Sequence, residues 1–289
     1  MIKLIRTRTH PPIHPNFCGA KRIEINLKLL KQKRDGELEK KGEKKWNSAI
    51  WKESKLQLLI ESKNKCAYCE TPTRVVAYGD VEHFRPKSFY WWLVYSYENY
   101  LPSCGACNQE YKKDFFDLDD TTKKLKGPQI LSTMTDAELE ELAALLTVDP
   151  VDEHAGAALA DFIKETGDET ALLINPYFED PAQILAYRPI LETREVVVVA
   201  AKPAYEKRIR ACEKLFGINR KELLDLRFEK YATYMTFRHS LEDAGISAAT
   251  RNSIRNRIDA LKADDSAYAG MLRYFEDKPL SALPWNFDI

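Results

Sequence analysis

Along most of this chain the apolar residues recur at helical spacing. Residues 21–34 read as a helix, and Asn47 or Ser48 can cap another running to about Lys63, with Ile50, Leu56, Leu59 and Ile60 as its apolar positions. Residues 134–166 predict two acidic helices, one phased on Leu139, Leu142, Leu145 and Leu146, the other on Leu159, Phe162 and Ile163. From residue 204 the chain predicts helices over 204–216, 220–244 and 248 to about 275. The β signal is weaker. RVVAYGDVEHF, at 74–84, is a short run rich in Val and aromatics, and REVVVVA predicts a strand within 185–200. Prolines mark HPPIHPNFCG (10–19) as an extended leader and LLINPYFEDPAQIL as a loop. GELEKKGEKK is a polar break, 120–133 a linker, and the tail DKPLSALPWNFDI irregular, anchored by Trp285 and Phe287. The pattern predicts an α+β chain, mostly α-helical. Its expected parts are a basic leader with helices over 1–62, a compact core over 63–125, and a mainly helical region over 126–289 suited to docking a partner.

Composition narrows this only a little. Of 289 residues 44% are hydrophobic and 30% charged, enough to fold. The longest apolar runs, FYWWLVY and VVVVAA, are far too short to span a bilayer, so no membrane association is expected. MIKLIRTRTH has no apolar h-region, so the expected setting is cytoplasmic. The net charge is zero but unevenly placed: residues 1–65 carry 17 Lys/Arg against 7 Asp/Glu, and residues 132–180 carry 13 Asp/Glu against one Lys. The basic segment reads either as a phosphate-attracting surface or as a solvated helix face. The acidic segment reads as solvated surface or as the mate of a basic partner.

The six cysteines change the picture more. Cys66/Cys69 and Cys104/Cys107 are two CxxC pairs separated by 34 residues. Each pair wraps two thiolates onto one tight turn, and together they predict a closed, tetrahedral, structural Zn2+ site. A redox reading needs only one pair in a βαβ setting, which this sequence lacks. Cys212 sits at helical spacing as a small core residue. Cys18, preceded by His10 and His14, has no visible partner. Trp91, Trp92, Tyr95, Tyr97 and Tyr100, between the pairs, read as core or cover for the knuckle, or as a base-stacking platform. His154 and His239 are isolated.

A zinc held by four thiolates is closed to catalysis, which leaves DVEHFRPKS (80–88) to be explained. CAYC, the Glu82-His83 doublet, Asn99 and CGACN ending in Asn108 occur in one order. That order resembles the HNH endonuclease family, whose catalytic unit is a ββα-metal fold. Lys112, in CNQEYK, matches a further common position. MIKLIR, EHFRPKS, LLINPYFEDPAQIL, GINRKELLDLR and YAGMLRYFED resemble the flanks of HNH proteins from Septu and retron-associated phage-defence systems. The resemblance implies a metal-dependent endonuclease working with an ABC/SMC-like ATPase partner.

The residue types suit that chemistry. His83 can serve as general base, since imidazole titrates near working pH. Glu82 would bind a hard ion, Mg2+ or Mn2+, with Asn108 supplying a neutral oxygen. On a regular strand Glu82 and His83 face opposite ways, so the pair needs a bulge or a twisted strand end. The common family pattern has Asp before the His, and this chain has Glu82; Asp80, two residues earlier, is the alternative metal ligand. The resemblance gives Asn99 a positioning role, pinning the loop that holds His83. Arg85, Lys87 and Lys112 are candidate contacts to nucleic-acid phosphate, with a solvated loop the competing reading for the first two. A zinc-stapled module that binds nucleic acid or protein without cutting it would use the same cysteines and be indifferent to Glu82, His83 and Asn108.

Overall fold

A computed structural model describes residues 1–39, 45–73, 79–151 and 159–285. Most of the polar break's end, the run 74–78, His154 and Phe287 lie outside the described residues. The chain is mixed α and β and about half helical. No described helix is long and apolar enough to cross a membrane.

Helix α1 (Gly19–Arg34) ends on Lys31, Lys33 and Arg34, which complement its macrodipole. It packs on α4 (Asp136–Leu146), which opens with a capping box between Thr135 and Glu138. Lys31 Nζ lies 2.7 Å, and Arg34 Nη1 2.6 Å, from the Asp136 carboxylate. Part of the acidic segment therefore mates with the chain's own basic arm.

The helix expected from 47 to 63 is two helices, α2 (Ser48–Lys52), capped by the Asn47 side chain, and α3 (Lys55–Glu61). Ser54 makes the break: its backbone N and its Oγ both donate to the Trp51 carbonyl, so the side chain competes with the helical ladder. The break turns the apolar phase. Leu58 and Leu59 are buried, whereas Leu56 and Ile60, expected in the core, are 69% and 54% exposed.

Strands β1 (Asp80–His83) and β2 (Tyr100–Ser103) form an antiparallel pair with His83 opposite Tyr100 and Glu82 opposite Leu101. A π-helix over Ala106–Lys112 follows. Helix α5 (Leu159–Asp168) comes next. The 185–200 region is a hairpin rather than one strand, β3 (Leu185–Ile190) pairing with β4 (Glu195–Ala200). Pro189 obscures β3 in the sequence, being a residue that only an edge strand tolerates.

Helices α6 (Glu206–Phe216) and α7 (Lys221–Ser240) pack on β4. The last long helix divides into α8 (Ala248–Lys262) and α9 (Ala269–Glu276). Arg273 bridges the division by donating to the Lys262 carbonyl and pairing with Asp264. The largest core cluster draws on all three expected segments: Met1, Ile2 and Leu4 of the leader, Cys66–Cys69, and the buried faces of α6, α7 and α9. Within it Tyr68 stacks on Phe216 with ring centroids 3.7 Å apart.

Phe216→Ala is expected to cost about 3–5 kcal/mol in chemical denaturation. Leu56→Ala is expected to stay within about 0.5 kcal/mol; a large loss there would place Leu56 in the core and contradict the break at Ser54.

Candidate functional site

Two centres are built on the β1–β2 pair. In one, the four cysteines converge. Cys66 and Cys69 occupy a turn closed by Glu70 N to Cys66 O (3.0 Å) and Cys66 N to Thr71 O (2.9 Å), with Glu70 at a positive φ of 61°. Cys104 and Cys107 stand where β2 runs into the π-helix, and Cys107 N donates to Cys104 Sγ at 3.5 Å. All four sulfurs lie within 4.8 Å of one another, and Cys69 Sγ is 3.8 Å from Cys104 Sγ. A tetrahedral zinc with Zn–S bonds of about 2.3 Å separates its sulfurs by about 3.8 Å, so the set can hold a metal such as zinc.

Arg220 completes this centre. Its guanidinium donates to Cys107 Sγ (3.5 Å) and Cys69 Sγ (3.9 Å). Four thiolates around a divalent ion carry a net double negative charge, which one arginine partly offsets. Sequence reading missed this residue; GINRKELLDLR marked the segment but gave no reason for its arginine. Of the other cysteines, Cys212 is fully buried in the main core, its thiol pushed up to about 12 by burial. Cys18 Sγ donates to the His14 carbonyl at 3.9 Å.

The other centre is a small polar cavity of about 100 Å3. Its lining brings Glu82, His83, Lys87 and Asn108 together with Trp51, Lys113 and Asp114. The register of β1 on β2 has no bulge, yet Glu82 and His83 both border the cavity. Among the described residues β1 pairs only with β2, so its other edge is open, and consecutive residues can border a cavity along it.

The His83 ring packs edge-on against Trp51 and Tyr100, each at 5.1 Å. Nε2 is 2.9 Å from the Val94 carbonyl. A carbonyl only accepts, so Nε2 carries the proton and Nδ1 the lone pair. Burial pulls the imidazole pKa down to about 3, below the near-neutral value expected of it from the sequence, and the ring is neutral at working pH. Asn99 grips the residues just beyond: its Oδ1 accepts from Arg85 N (2.8 Å) and its Nδ2 donates to Arg85 O (3.0 Å).

Glu82 is almost wholly buried, and burial raises its carboxyl pKa against the opposing charge of Lys112. Lys112 Nζ is 2.5 Å from Glu82 Oε1, but the aligned donation of that ammonium goes to the His83 carbonyl at 3.0 Å. Glu82 Oε1 is thus a buried carboxylate oxygen paired with the Lys112 ammonium. Asn108 donates Nδ2 to Asp80 Oδ2 (3.2 Å), which leaves its amide oxygen as the group with coordinating capacity. Asp80 also accepts from Gln109 and is not part of the cavity wall.

Two expected phosphate contacts are corrected. Lys112 is completely buried, held by Glu82 and the His83 carbonyl inside the wall. Arg85 is 3% exposed, with Nε on Glu169 (2.7 Å) and Nη2 on the Thr166 carbonyl (2.8 Å), so it ties the end of β1 to α5. Lys87 remains at the cavity, half-buried. Of the expected aromatic platform, Tyr95, Tyr97 and Tyr100 are buried in the core. The aromatic at the cavity is Trp51, which sequence reading passed over as an ordinary helix residue.

No protein-family model matches the chain, and no solved structure does. Two curated proteins do. The chain is 26% identical over 176 residues to the Septu protein PtuB of Bacillus mycoides (strain KBAB4), covering 56% of this chain and 45% of that protein. It is 51% identical over 55 residues to the Septu protein PtuB of Bacillus thuringiensis, covering 19% of this chain and 21% of that protein. The match spans less than half the length of either relative. The resemblance to Septu proteins read from the flanking motifs is thus found in named relatives.

Replacing Cys107 by Ser is expected to lower both bound metal per chain and the melting temperature, since binding energy at a structural site is folding energy. Metal analysis with thermal melting checks this, and an unchanged melt would remove the cluster's structural role. Lys112→Met leaves Glu82 buried without its counter-ion and is expected to cost about 3–5 kcal/mol in denaturant titration.

Proposed function

We propose that this protein is a metal-dependent HNH endonuclease that hydrolyses nucleic-acid phosphodiester bonds, built on a ββα-metal core of β1, β2 and the π-helix. The observation that supports it best is His83, oriented by the Val94 carbonyl and placed in one small cavity with Glu82 and Asn108. Water approaches the phosphorus, its proton passes to His83 Nδ1, the new P–O bond forms, and the bond to the 3′ oxygen breaks. Asn99 holds the backbone just after His83 and so keeps the ring in register. Glu82 and Asn108, which line the same cavity, would hold Mg2+ or Mn2+. When bound, that ion stabilises charge on the phosphate and on the leaving oxygen. The four-cysteine centre would hold Zn2+ for shape only.

The relatives' names and the sequence resemblance support a place in a Septu anti-phage defence complex, acting with a partner ABC/SMC-like ATPase of the PtuA type. One observation favours a second reading, a zinc-stapled binding module without catalysis. Lys112 already pairs with Glu82, so an ammonium stands beside the carboxylate that the ion needs.

One experiment separates the two. DNA, tRNA and total RNA are offered with Mg2+ or Mn2+, with and without the ATPase. The wild type is expected to cut, and His83→Ala to lose about 10²–10⁴-fold in rate while keeping its zinc. Binding without metal-dependent cleavage, unaffected by His83→Ala, would establish the second reading.

A further inference from the structure

The π-helix ends on a residue whose backbone lysine rarely adopts. Lys113 has φ 48° and ψ −124°. Tyr268, also at positive φ, sits at φ 57° and ψ 27° in the ordinary left-handed basin, whereas the ψ of Lys113 places it outside that basin. There a Cβ crowds the backbone, and glycine is the residue that fits. The turn itself does not require lysine. Its one backbone bond, Lys113 N to Asn108 O at 2.7 Å, would form equally with glycine. Something other than the turn accounts for the side chain.

Its position supplies the reason. Lys113 borders the cavity that holds Glu82, His83 and Asn108, and it is exposed. Among the described residues it makes no ion pair, in contrast to Lys112, which is buried and fully engaged one residue earlier. Lys87, half-buried, borders the same cavity. Backbone strain of this kind is retained where a side chain must be delivered to one place.

We propose that Lys113 is a substrate-binding residue. Its ammonium, set at the cavity mouth by the strained end of the π-helix, contacts a phosphate oxygen of the nucleic acid, with Lys87 as the second cation. This rests on the nuclease reading above for its substrate class, and it moves the phosphate-contact role from Lys112 to its neighbour.

The test uses three variants of the full chain, Lys113→Gly, Lys113→Ala and Lys113→Arg. Melting temperature is followed, and binding of a labelled DNA duplex and an RNA is titrated across salt without divalent metal, where nothing is cut. Lys113→Gly is expected to melt about 2–4 °C higher, because glycine relieves the strain. It is also expected to bind several-fold more weakly, with the slope of log K against log salt reduced by about 0.7–0.9, one phosphate contact. Lys113→Ala is expected to show the same binding loss without the gain in melting temperature, and Lys113→Arg to keep the binding. A higher melt for Lys113→Gly with an unchanged salt slope would overturn the proposal, leaving strain without a substrate contact. No gain in melt would remove the strain from which it starts. Wild-type protein that binds here but does not cut once Mg2+ or Mn2+ is added would defeat the nuclease reading while the Lys113 contact stood on its salt slope. Wild-type protein that binds neither nucleic acid would defeat both.

Discussion

Four sulfur atoms within 4.8 Å of one another set the distances on which the rest of this structure depends. The strands they anchor are four residues each, too short to be stable as an isolated pair. Cys104 lies directly after β2, and Cys107 lies inside the first turn of the π-helix. Fixing those two sulfurs against Cys66 and Cys69 fixes the end of β2. The register then carries that position across to His83, opposite Tyr100. The C-terminal helices close the cluster from outside, through Arg220 on two of the sulfurs and Phe216 on Tyr68. The 126–289 region is therefore part of what holds the 63–125 core in shape.

From the cluster outward, the wall of the small cavity is built from buried polar groups that satisfy one another. Lys112 lies between Glu82 and the His83 carbonyl, Arg85 between Glu169 and the Thr166 carbonyl, and Asn99 across the backbone of Arg85. Charges so far from water are costly unless paired, and a wall made of such pairs cannot drift without leaving one uncompensated. The Arg85 guanidinium makes the longest connection in sequence, from the end of β1 to Glu169 just past α5. The basic residues of the 80–113 region thus divide by burial. Arg85 and Lys112 are buried in the wall, and Lys87, half-buried, and Lys113, exposed, border the cavity.

How far the sequence shows this follows from the range of each interaction. The cysteine spacing, the Glu82-His83 doublet and the asparagines behind it are local patterns, and the structure places the sulfurs together and the doublet with Asn108. Burial is not local. Nothing in EHFRPKS or CNQEYKK distinguishes a buried Arg85 or Lys112 from a solvated Lys87, because the partner that buries Arg85 is 84 positions away. Trp51 was silent for the same reason: its edge-on contact with His83 joins α2 to β1 through space. The misread helices fail at single residues. Ser54 turns a serine hydroxyl on the preceding helical carbonyl, and Pro189 disguises β3. The charge asymmetry was legible, but its resolution was not: the acid at Asp136 meets Lys31 and Arg34 of the same chain.

The size of the cavity bears on what selects a substrate. Pockets that enclose and read a small molecule run to about 300–1,000 Å3. This one is about 100 Å3, lined by a carboxylate, an imidazole and an amide rather than by apolar walls. On the nuclease reading it has room for a phosphate and the groups that act on it, and none for a base. Any preference among nucleic acids must then arise outside it, from the cations at its mouth, from Trp51 beside it, or from a partner that presents the strand. Cations recognise phosphate irrespective of sequence, and an indole face stacks on any base. On that reading, a site of this construction has little means of its own to choose a substrate, so restraint would come from whatever controls access to it.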